Sequence, residues 1–450
     1  MPNLFSRAAS LLLGGNAGHA DDSDARRLLE ALGYATAADV GAAESDPETR
    51  HRACLLNAAS RFIRVFELAA PEAPGLVSFG AEFDPVLADP LHEGNPVVGV
   101  SGVGLSLQDA FQGCIGEGIE YLSQLQTGAD ALEADAGDPA AKLGPQARDF
   151  VAAFSAHRLH PDVGLSWHRV VGLGDGREAL LPADLCVRRP LHRQEVKPPF
   201  PLGTGSAAGR SWEAAALHGL LEWIERDAAG LWWLGGRRGR SIPPDDHAQI
   251  AGRAVLTQVR QGGSVRRNWL LDITSDIGVP CVAAVSCNPD GFGLACGLAS
   301  RPTLKAAACA AVLEMCQGEL AHAVVEAKVR ERGEAALNLR DRAHRRRATS
   351  LNADRCLLLQ PEQEPERSPD LAIGPSDPGA MLRLAVDRLA HLGIEAFGLD
   401  LTRPCFGVPA ARVIAPGLQP LPSEIVTPRL AEMIAQTGGG ATYTGGIALI

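Results

Sequence analysis

Two pairs of glutamates with the spacing E-x-x-E are the residues of this chain best placed to do chemistry: Glu117 with Glu120, and Glu222 with Glu225. On a helix, residues three apart share a face and lie about 5–6 Å from each other. Both pairs lie in apolar surroundings, IGEGIEYL and LLEWIERDA, so we expect them to face inward. Like charges are costly to bury without a counter-ion, and Mg²⁺ prefers carboxylate oxygens. The pairs therefore predict a hard-cation site that could bind substrate phosphates.

Two other interpretations of the carboxylates stay open. An E-x-x-E pair more often marks a solvated helix face, although apolar residues such as Trp223 crowd the second pair. A di-iron centre would need E-x-x-H on two helices, and Glu319 with His322 is the one copy in the sequence. His218 lies one turn before Glu222 and either orients that carboxylate or is structural.

Both pairs belong to a pattern that occurs three times, each time after a Gly-rich segment. Ser or Thr is followed by Ala at +4, Glu at +11 and Glu or Gln at +14. The hydroxyl residue suits a helix N-cap, and these offsets place the other three side chains along one helical stripe. We therefore expect three similar helices. The copies are Ser106-Ala110-Glu117-Glu120, Ser211-Ala215-Glu222-Glu225 and Thr303-Ala307-Glu314-Gln317.

Two strand-like segments also resemble each other. Residues 269–286 and 397–415 share Leu-Asp-x-Thr, a short loop, Gly-Val-Pro and a second apolar run. Each segment predicts two buried strands joined by a turn. Together the repeats predict an α/β fold built from units of one helix and one strand pair. Residues 1–92 are predicted to form a mostly helical N-terminal region, and residues 93–450 the main domain.

Two Arg- or Gly-rich segments have more than one interpretation. GTGSAAG (203–209) could suggest a dinucleotide turn, but VKPPFPL precedes it where a buried strand would be needed. It fits better as a loop that places backbone N–H groups near phosphate.

Arg226 follows Glu222 by one turn and would either meet phosphate or pair with that glutamate. RDRAHRRRA (340–348) is interpreted as the solvated end of a long helix, with docking of an acidic partner as the alternative.

Composition excludes several classes of protein. A hydrophobic fraction of 46% argues against disorder, and a net charge of −11 argues against nucleic acid as a partner. We find no apolar run long enough to span a membrane. The ten cysteines include no C-x-x-C pair, which excludes a zinc scaffold. The first twenty residues only faintly resemble a secretory signal, so we expect reduced thiols and a cytoplasmic location.

The chain resembles the YcaO family, ATP-dependent enzymes that activate backbone amides of ribosomal peptides. The most specific match is GSAAGRSWEAAALHGLLEWIERDA (205–228), a Gly-rich turn leading into E-x-x-E-R-D-A. Three more segments are similar to family motifs, and the resemblance extends over residues 93 to 420 or so. These segments are GVGLSLQDAFQGCIGEGIEYL (102–122), GLACGLASRPTLKAAACAAVLEMCQGEL (293–320) and LDLTRPCFGVPAARVIAPGL (399–418).

The resemblance implies a YcaO-like fold around a Mg–ATP cleft, and it implies site residues. Glu117, Glu120, Glu222 and Glu225 would hold Mg²⁺ against the triphosphate of ATP. The residues implied to bind the nucleotide are Arg226, Glu314, Gln317, Arg210 and Ser206. The catalytic base is not assigned, because members that cyclise peptides often end in a Pro-x-Pro-x-Pro tail whereas this chain ends in GGGATYTGGIALI.

The resemblance also implies the reaction. A Cys, Ser or Thr side chain of a ribosomal precursor peptide adds to the preceding amide carbonyl. ATP phosphorylates the resulting oxygen, and phosphate leaves to give a thiazoline or oxazoline, as in the biosynthesis of thiazole/oxazole-modified microcins. A thioamide-forming enzyme with an accessory protein and a non-catalytic YcaO-like scaffold are the alternatives. We expect a separate leader-binding protein and a flavin dehydrogenase as partners, and the Ala-rich helices permit a homodimer.

Four positions depart from the family pattern. Arg210 stands where Asn is frequent, and Ala214 where a second Glu is frequent. Tyr121 and Ala310 each replace an arginine. Ala214 and Ala310 favour the scaffold alternative, whereas retention of all four metal carboxylates favours nucleotide chemistry.

Overall fold

The computed structural model describes residues 2–14, 22–34, 46–134, 139–160, 162, 164–362, 370–371 and 377–450. Within these residues the long helices carry the three repeats predicted from the sequence. In chain order the helices are α1 (Leu4–Leu12), α2 (Ser23–Ala31), α3 (Pro47–Ala59), α4 (Leu107–Gln124), α5 (Pro145–Ser155), α6 (Ala183–Cys186), α7 (Trp212–Trp233), α8 (His247–Arg260), α9 (Leu304–Arg332), α10 (Leu339–Ser350), α11 (Pro378–His391), α12 (Pro428–Thr437) and α13 (Ala441–Thr444).

The strands of the described residues form three sheets, whose orders are β1-β2-β3, β11-β10-β9-β8 and β4-β5-β12-β13-β7, with β6 also paired to β5. All of these pairs are antiparallel. The strands are β1 (Arg64–Glu67), β2 (Val77–Phe83), β3 (Val98–Gly104), β4 (Leu132–Glu133), β5 (Trp167–Gly172), β6 (Glu178–Pro182), β7 (Ser206–Ala208), β8 (Arg240–Ser241), β9 (Arg267–Asp272), β10 (Cys281–Cys287), β11 (Ala295–Ser300), β12 (Phe397–Asp400) and β13 (Ala410–Ile414).

The three repeated helices begin where the sequence predicts. In α4, α7 and α9 the hydroxyl residue is the N-cap, and its side-chain oxygen accepts a hydrogen bond from the backbone N–H three residues later. The Ala at +4 is fully buried in each helix. The cap bonds run from Asp109 to Ser106 at 3.1 Å, from Ala214 to Ser211 at 3.2 Å and from Ala306 to Thr303 at 3.2 Å.

The Gly-rich segments before the three helices contain β3, β7 and β11, each of which lies at the edge of its sheet. In β3, a Cβ at Gly102 would overlap backbone atoms of Ala110 and Cys114 in α4. In β11, a Cβ at Gly297 would overlap backbone atoms of Ala311 and Met315 in α9. Glycine is therefore needed where the strand rests directly on the helix backbone.

Both predicted strand pairs are present, as β9–β10 and β12–β13. The shared Leu-Asp-x-Thr sequence has the same hydrogen bonds in both. The Asp side chain caps the turn by accepting from the Thr backbone N–H, and the Thr hydroxyl accepts from the first residue of the next strand. The bonds are Thr274 to Asp272 at 2.9 Å and Cys281 to Thr274 at 3.0 Å, and Thr402 to Asp400 at 2.8 Å and Ala410 to Thr402 at 3.1 Å.

The predicted boundary at residue 92 falls inside a sheet. The region 1–92 contains α1–α3 but also β1 and β2, and β2 pairs along its whole length with β3. Phe111 and Ile115 of α4 lie in the same hydrophobic core as Leu56 of α3 and Ala8 of α1. Because the sheet and the core both cross residue 92, the N-terminal region packs as part of the first helix–strand unit.

By length and composition alone, α9 could cross a membrane. This finding overturns our sequence-based statement that no segment reaches that limit. It is weak evidence for a membrane span, because buried core helices meet the same criteria. In this fold α9 packs against β11, β10 and α8, and its buried residues include Ala307, Ala311 and Met315.

The Arg-rich segment 340–348 is not the end of the preceding long helix. α9 ends at Arg332 and is followed by Gly333, whose φ is +74°. The segment lies in a separate helix, α10, which starts with a capping box between Asn338 and Asp341. Arg347 is buried, so α10 is not solvated on all sides.

His344 of α10 must be neutral to make its contacts. One of its ring nitrogens, Nδ1, lies 2.9 Å from Nη2 of Arg347 and must accept that N–H. The ring also packs edge-on against His322, with 6.0 Å between centroids. Burial lowers the pKa of His344 to about 4, and the charge of Arg347 adds to this effect.

We expect His344→Gln to make the protein less sensitive to acid. Between pH 6.5 and 4 the unfolded chain protonates this histidine and the folded chain does not, so stability falls as the pH falls. Urea unfolding at pH 7 and pH 5 should show that the free energy of unfolding falls by about 1 kcal/mol more in the wild type than in the variant. His192→Gln, at an exposed position, is the control. Equal losses in the wild type and His344→Gln would contradict this account.

Candidate active site

The three repeated helices surround one cavity of about 390 Å³. Its wall contains five glutamates, two arginines and a histidine, together with Ser206, Ala207 and Ala208 of β7. Four of the glutamates are the predicted E-x-x-E pairs, and the fifth comes from the third repeat. The ionisable residues of the wall are Glu117, Glu120, Glu222, Glu225, Glu314, Arg226, Arg301 and His218.

The glutamate at +11 of the first two repeats is bonded to the Gly-rich segment that precedes its own helix. The backbone N–H of Ser101 donates to Glu117 Oε2 at 3.2 Å, and that of Gly205 donates to Glu222 Oε2 at 3.0 Å. In the third repeat the backbone of Leu298 in β11 opposes the rise in the pKa of Glu314. The Gly-rich segment before each helix thus acts on the +11 carboxylate of that helix.

Glu225 connects two of the repeats. It lies on α7, and its Oε2 accepts the backbone N–H of Ser300 at the end of β11, at 3.2 Å. This carboxylate is buried, with 6% of the residue surface exposed. Helix α7 and the third helix–strand unit therefore meet at a charged side chain of the cavity wall.

The cavity wall holds more carboxyl groups than its two arginines could neutralise. Burial raises the pKa of Glu225 to about 8; Arg226 opposes the shift, and Glu314 and Glu222 reinforce it. Burial also raises the pKa values of Glu120 and Glu314. A bound cation would relieve this repulsion between the carboxylates.

The donor set fits Mg²⁺ bound together with a phosphate ligand. Most of the side chains in the cavity wall that could bind a metal ion are carboxylates, whose oxygen atoms suit a hard cation. Across the ranges that the structure describes, no three Asp, Glu, His or Cys side chains converge closely enough to hold a metal ion by themselves. Mg²⁺ usually keeps waters and takes one or two carboxylates plus substrate phosphates, so this spread of carboxylates matches a shared metal–nucleotide site.

Arg226 lies between the two glutamates of its own helix. Its guanidinium is 3.4 Å from Glu222 Oε1 and 3.4 Å from Glu225 Oε1. Burial alone would lower the pKa of Arg226, but the carboxylates of Glu225 and Glu222 outweigh it and raise that pKa. The intrahelical pairing considered in the sequence analysis is therefore present, in a cavity that could also accept phosphate.

Two residues predicted to bind nucleotide lie outside the cavity wall. Arg210 pairs with Glu48 of α3 at 2.8 Å, and 63% of its side chain is exposed. Gln317 donates to the hydroxyl of Ser101 at 2.9 Å, which joins α9 to β3. The structure describes these contacts of Arg210 and Gln317 within the protein, and their role in nucleotide binding stays a prediction.

The candidate di-iron pair is occupied by other contacts. Both carboxylate oxygens of Glu319 accept hydrogen bonds from Arg260, at 2.6 and 2.7 Å, and Arg266 donates to the same carboxylate at 3.0 Å. The ring of His322 is hydrogen-bonded to the carbonyl of Leu294 at 3.1 Å. His218 faces the cavity, but the described residues show no hydrogen bond between it and Glu222.

Two arginines that the sequence analysis missed lie at the site. Arg301, just after β11, lines the cavity. Arg188 lies 4.9 Å from the ring centroid of Tyr121 and donates to Gln124 Oε1 at 2.7 Å. The charge of Arg301 opposes the rise in the pKa of Glu314 in the third repeat, where Ala310 replaces an arginine. The charge of Arg188 does the same for Glu120 in the first repeat, where Tyr121 replaces an arginine.

Arg412 of β13 forms hydrogen bonds that support the Gly-rich loop before α7. It is almost fully buried and donates to the carbonyls of Leu185, Leu202 and Thr204 and to the hydroxyl of Ser206. Burial lowers the pKa of Arg412 to about 10. The sequence signal was a single arginine inside the apolar run AARVIA, which belongs to a strand that is buried throughout.

Comparison with known proteins shows the family to which the chain belongs. Residues 101–419 match the family model described as YcaO cyclodehydratase, ATP- and Mg²⁺-binding. The chain belongs to the YcaO family, and ATP and Mg²⁺ are the cofactors that the family description names.

One sequence relative is an uncharacterized protein of Methanothermobacter thermautotrophicus. It is 32% identical over an alignment of 225 positions that covers 48% of this chain and 55% of the relative. The chain thus covers about half the length of that relative, and the same fraction, 55%, of the heterocyclase structure described next.

Three solved structures share the fold at low sequence identity. A heterocyclase in complex with substrate and cofactor superposes with a TM-score of 0.67 and 21% identity, over 88% of this chain and 55% of that chain. YcaO from Methanopyrus kandleri, bound with AMPPCP and Mg²⁺, gives 0.59 and 19%, over 83% and 92%. The E. coli microcin synthetase McbBCD complex gives 0.55 and 14%, over 78% and 87%. The predicted α/β, YcaO-like fold is confirmed.

Proposed function

We propose that this protein is a Mg–ATP-dependent cyclodehydratase that forms thiazoline or oxazoline rings in a ribosomal precursor peptide. The observation that carries the proposal is the cavity in which four E-x-x-E carboxylates and Glu314 meet Arg226 and Arg301. Family membership supports the nucleotide and the metal. A peptide substrate is supported by the structural neighbour described as a heterocyclase in complex with substrate and cofactor.

Glu117, Glu120, Glu222 and Glu225 are the residues that would hold Mg²⁺, which when bound neutralises charge on the transferred phosphoryl group. Glu117 and Glu222 are held in place by the backbone N–H groups of Ser101 and Gly205. Glu225 is fixed by Ser300, and Arg226 is kept against it. These bonds preorganise the carboxylates and limit the reorganisation needed when the nucleotide binds.

The proposed reaction removes water from the peptide in an ATP-coupled step. The sulfur or oxygen of a Cys, Ser or Thr side chain loses its proton and forms a bond to the preceding carbonyl carbon. The former carbonyl oxygen takes the γ-phosphoryl group, and ADP leaves. The bond between the former carbonyl carbon and the phosphorylated oxygen then breaks, and phosphate leaves. The amide proton is lost, and a ring C=N bond forms. The net change is loss of one water from the peptide and conversion of ATP to ADP and phosphate.

We further propose that the enzyme works in the cytoplasm with a leader-binding protein. The McbBCD assembly among the structural neighbours supports a multi-protein arrangement. A flavin dehydrogenase that oxidises azolines to azoles is the second expected partner. A homodimer is compatible with this proposal, and sedimentation of the purified chain alone and with each partner would distinguish these assemblies.

Calorimetric titration with a non-hydrolysable ATP analogue, with and without Mg²⁺, tests the nucleotide site. We expect binding that requires Mg²⁺. Peptides containing Cys, Ser and Thr are then incubated with the enzyme, its leader-binding partner and Mg–ATP, and analysed by mass spectrometry. Loss of water supports the proposal, whereas exchange of oxygen for sulfur would identify a thioamide-forming enzyme. Absence of nucleotide binding in the folded protein would favour the scaffold alternative.

A further inference from the structure

Arg301 is a cavity arginine whose charge is not taken up by a carboxylate. It lines the same cavity as the five glutamates. Over the described part of the chain, no carboxylate oxygen lies within the 4.0 Å of an ion pair with Arg301. The guanidinium donates one hydrogen bond, from Nη1 to the carbonyl of Ser300 at 2.8 Å. Most of the five N–H donors of an arginine therefore remain available to a ligand.

Arg226 differs from Arg301 in this respect. Arg226 contacts two carboxylates, Glu222 and Glu225, and only 18% of its side chain is exposed. Its charge is therefore largely compensated within the protein. Arg301 acts on Glu225 and Glu314 only at longer range, where it opposes the rise in their pKa values. It is the cavity cation that can still pair with an anion from outside.

The backbone that carries Arg301 is fixed on both sides. The N–H of Ser300 donates to Glu225, and the N–H of Arg301 donates to the carbonyl of Pro280 at 3.1 Å. Two residues later, Thr303 caps α9. A side chain rooted in such a backbone loses little freedom when its head group binds a ligand, and this favours a specific contact over a diffuse one.

We propose that Arg301 contacts the terminal phosphate of the nucleotide and makes the site prefer a nucleoside triphosphate over a diphosphate. The proposal rests on the Mg–ATP site proposed above. Arginine offers a planar fork that pairs with two phosphate oxygens at once. Arg226, the other arginine of the wall, is paired with Glu222 and Glu225. Arg301 is therefore the arginine that makes the contact by which the site distinguishes three phosphates from two.

The test compares two ligands in the full-length protein. Calorimetry in excess Mg²⁺ measures the affinity for a non-hydrolysable ATP analogue and for ADP, in the wild type, Arg301→Ala and Arg301→Lys. We expect Arg301→Ala to weaken binding of the ATP analogue about tenfold or more and binding of ADP about twofold or less. Arg301→Lys keeps the charge without the fork, so it should fall in between.

Arg253→Ala is the matched control, because Arg253 is exposed on α8. It should leave both affinities unchanged, and circular dichroism should show the same fold in all variants. Equal weakening of both ligands in Arg301→Ala, or weakening of neither, would overturn the role of Arg301 while leaving the nucleotide site intact. Absence of Mg²⁺-dependent binding in the wild type would instead overturn the proposed function, and this proposal with it.

Discussion

Replacing Glu222 by Gln is expected to weaken Mg²⁺-dependent binding of an ATP analogue by about 100-fold or more, equal to about 2.8 kcal/mol. Glu222 is one of four carboxylates placed to hold the metal, and glutamine removes its charge while keeping its size. ATP-dependent modification of a peptide should fall at least as far. Titration calorimetry with and without Mg²⁺ measures the first effect, and mass spectrometry measures the second.

The same substitution should leave the fold intact. The Gln side-chain oxygen can still accept the N–H of Gly205, which donates to Glu222 at 3.0 Å. Removing one of five crowded carboxylates also lowers repulsion, so thermal stability should be unchanged or slightly higher. Glu213→Gln is the matched control, since Glu213 is exposed in the first turn of the same helix. Wild-type affinity in Glu222→Gln would show that this carboxylate is not part of a metal site.

Gly205→Ala should destabilise the protein by about 3–5 kcal/mol, since it combines a backbone penalty with overpacking. Gly205 has φ +88°, a conformation that L side chains rarely adopt. A Cβ there would overlap Trp223 Nε1 and the carbonyl oxygen of Val413. These two atoms already share a hydrogen bond of 2.7 Å, and Trp223 is fully buried, so neither can move away.

Thermal unfolding measures this effect, and calorimetry measures its consequence for function. Because the Gly205 N–H holds Glu222, a displaced loop should also weaken Mg²⁺-dependent nucleotide binding. Gly203→Ala is the control for stability: a Cβ there lies 3.4 Å from Arg188 Nη2 and meets no backbone atom. If the two variants unfold at the same temperature, the close packing of Gly205 does not limit stability.

Features that depend on neighbouring residues could be predicted from the sequence. Ser106, Ser211 and Thr303 are N-caps because a short hydroxyl side chain reaches the first free N–H groups of a helix. The two Leu-Asp-x-Thr segments form strand pairs because Asp and Thr satisfy the turn between them. The meeting of the glutamate pairs in one cavity could be inferred because three copies of one unit repeat the same strand–helix geometry.

Contacts between distant residues could not be predicted in this way. Arg412 reaches the loop at 202–206 across more than 200 residues, and Arg188, which follows α6, meets Tyr121 of α4. Arg210 lies within the signature 205–228, and its ion pair with Glu48 of α3 is a contact that the signature alone does not reveal. The pairing of β2 with β3 crosses the predicted domain boundary for the same reason, since strand partners are chosen by tertiary packing.

The backbone anchors of the cavity glutamates have a mechanical consequence. Glu117 and Glu222 are each bonded to the segment that precedes their own helix, so each of these two anchors lies within a single unit. A hydrogen bond between Glu225 and Ser300 joins the second unit to the third. A side-chain hydrogen bond between Gln317 and Ser101 joins the first unit to the third. The carboxylates of the cavity thus depend on three separate anchors, at Ser101, Gly205 and Ser300, so loss of one hydrogen bond would loosen one glutamate and leave the other two in place.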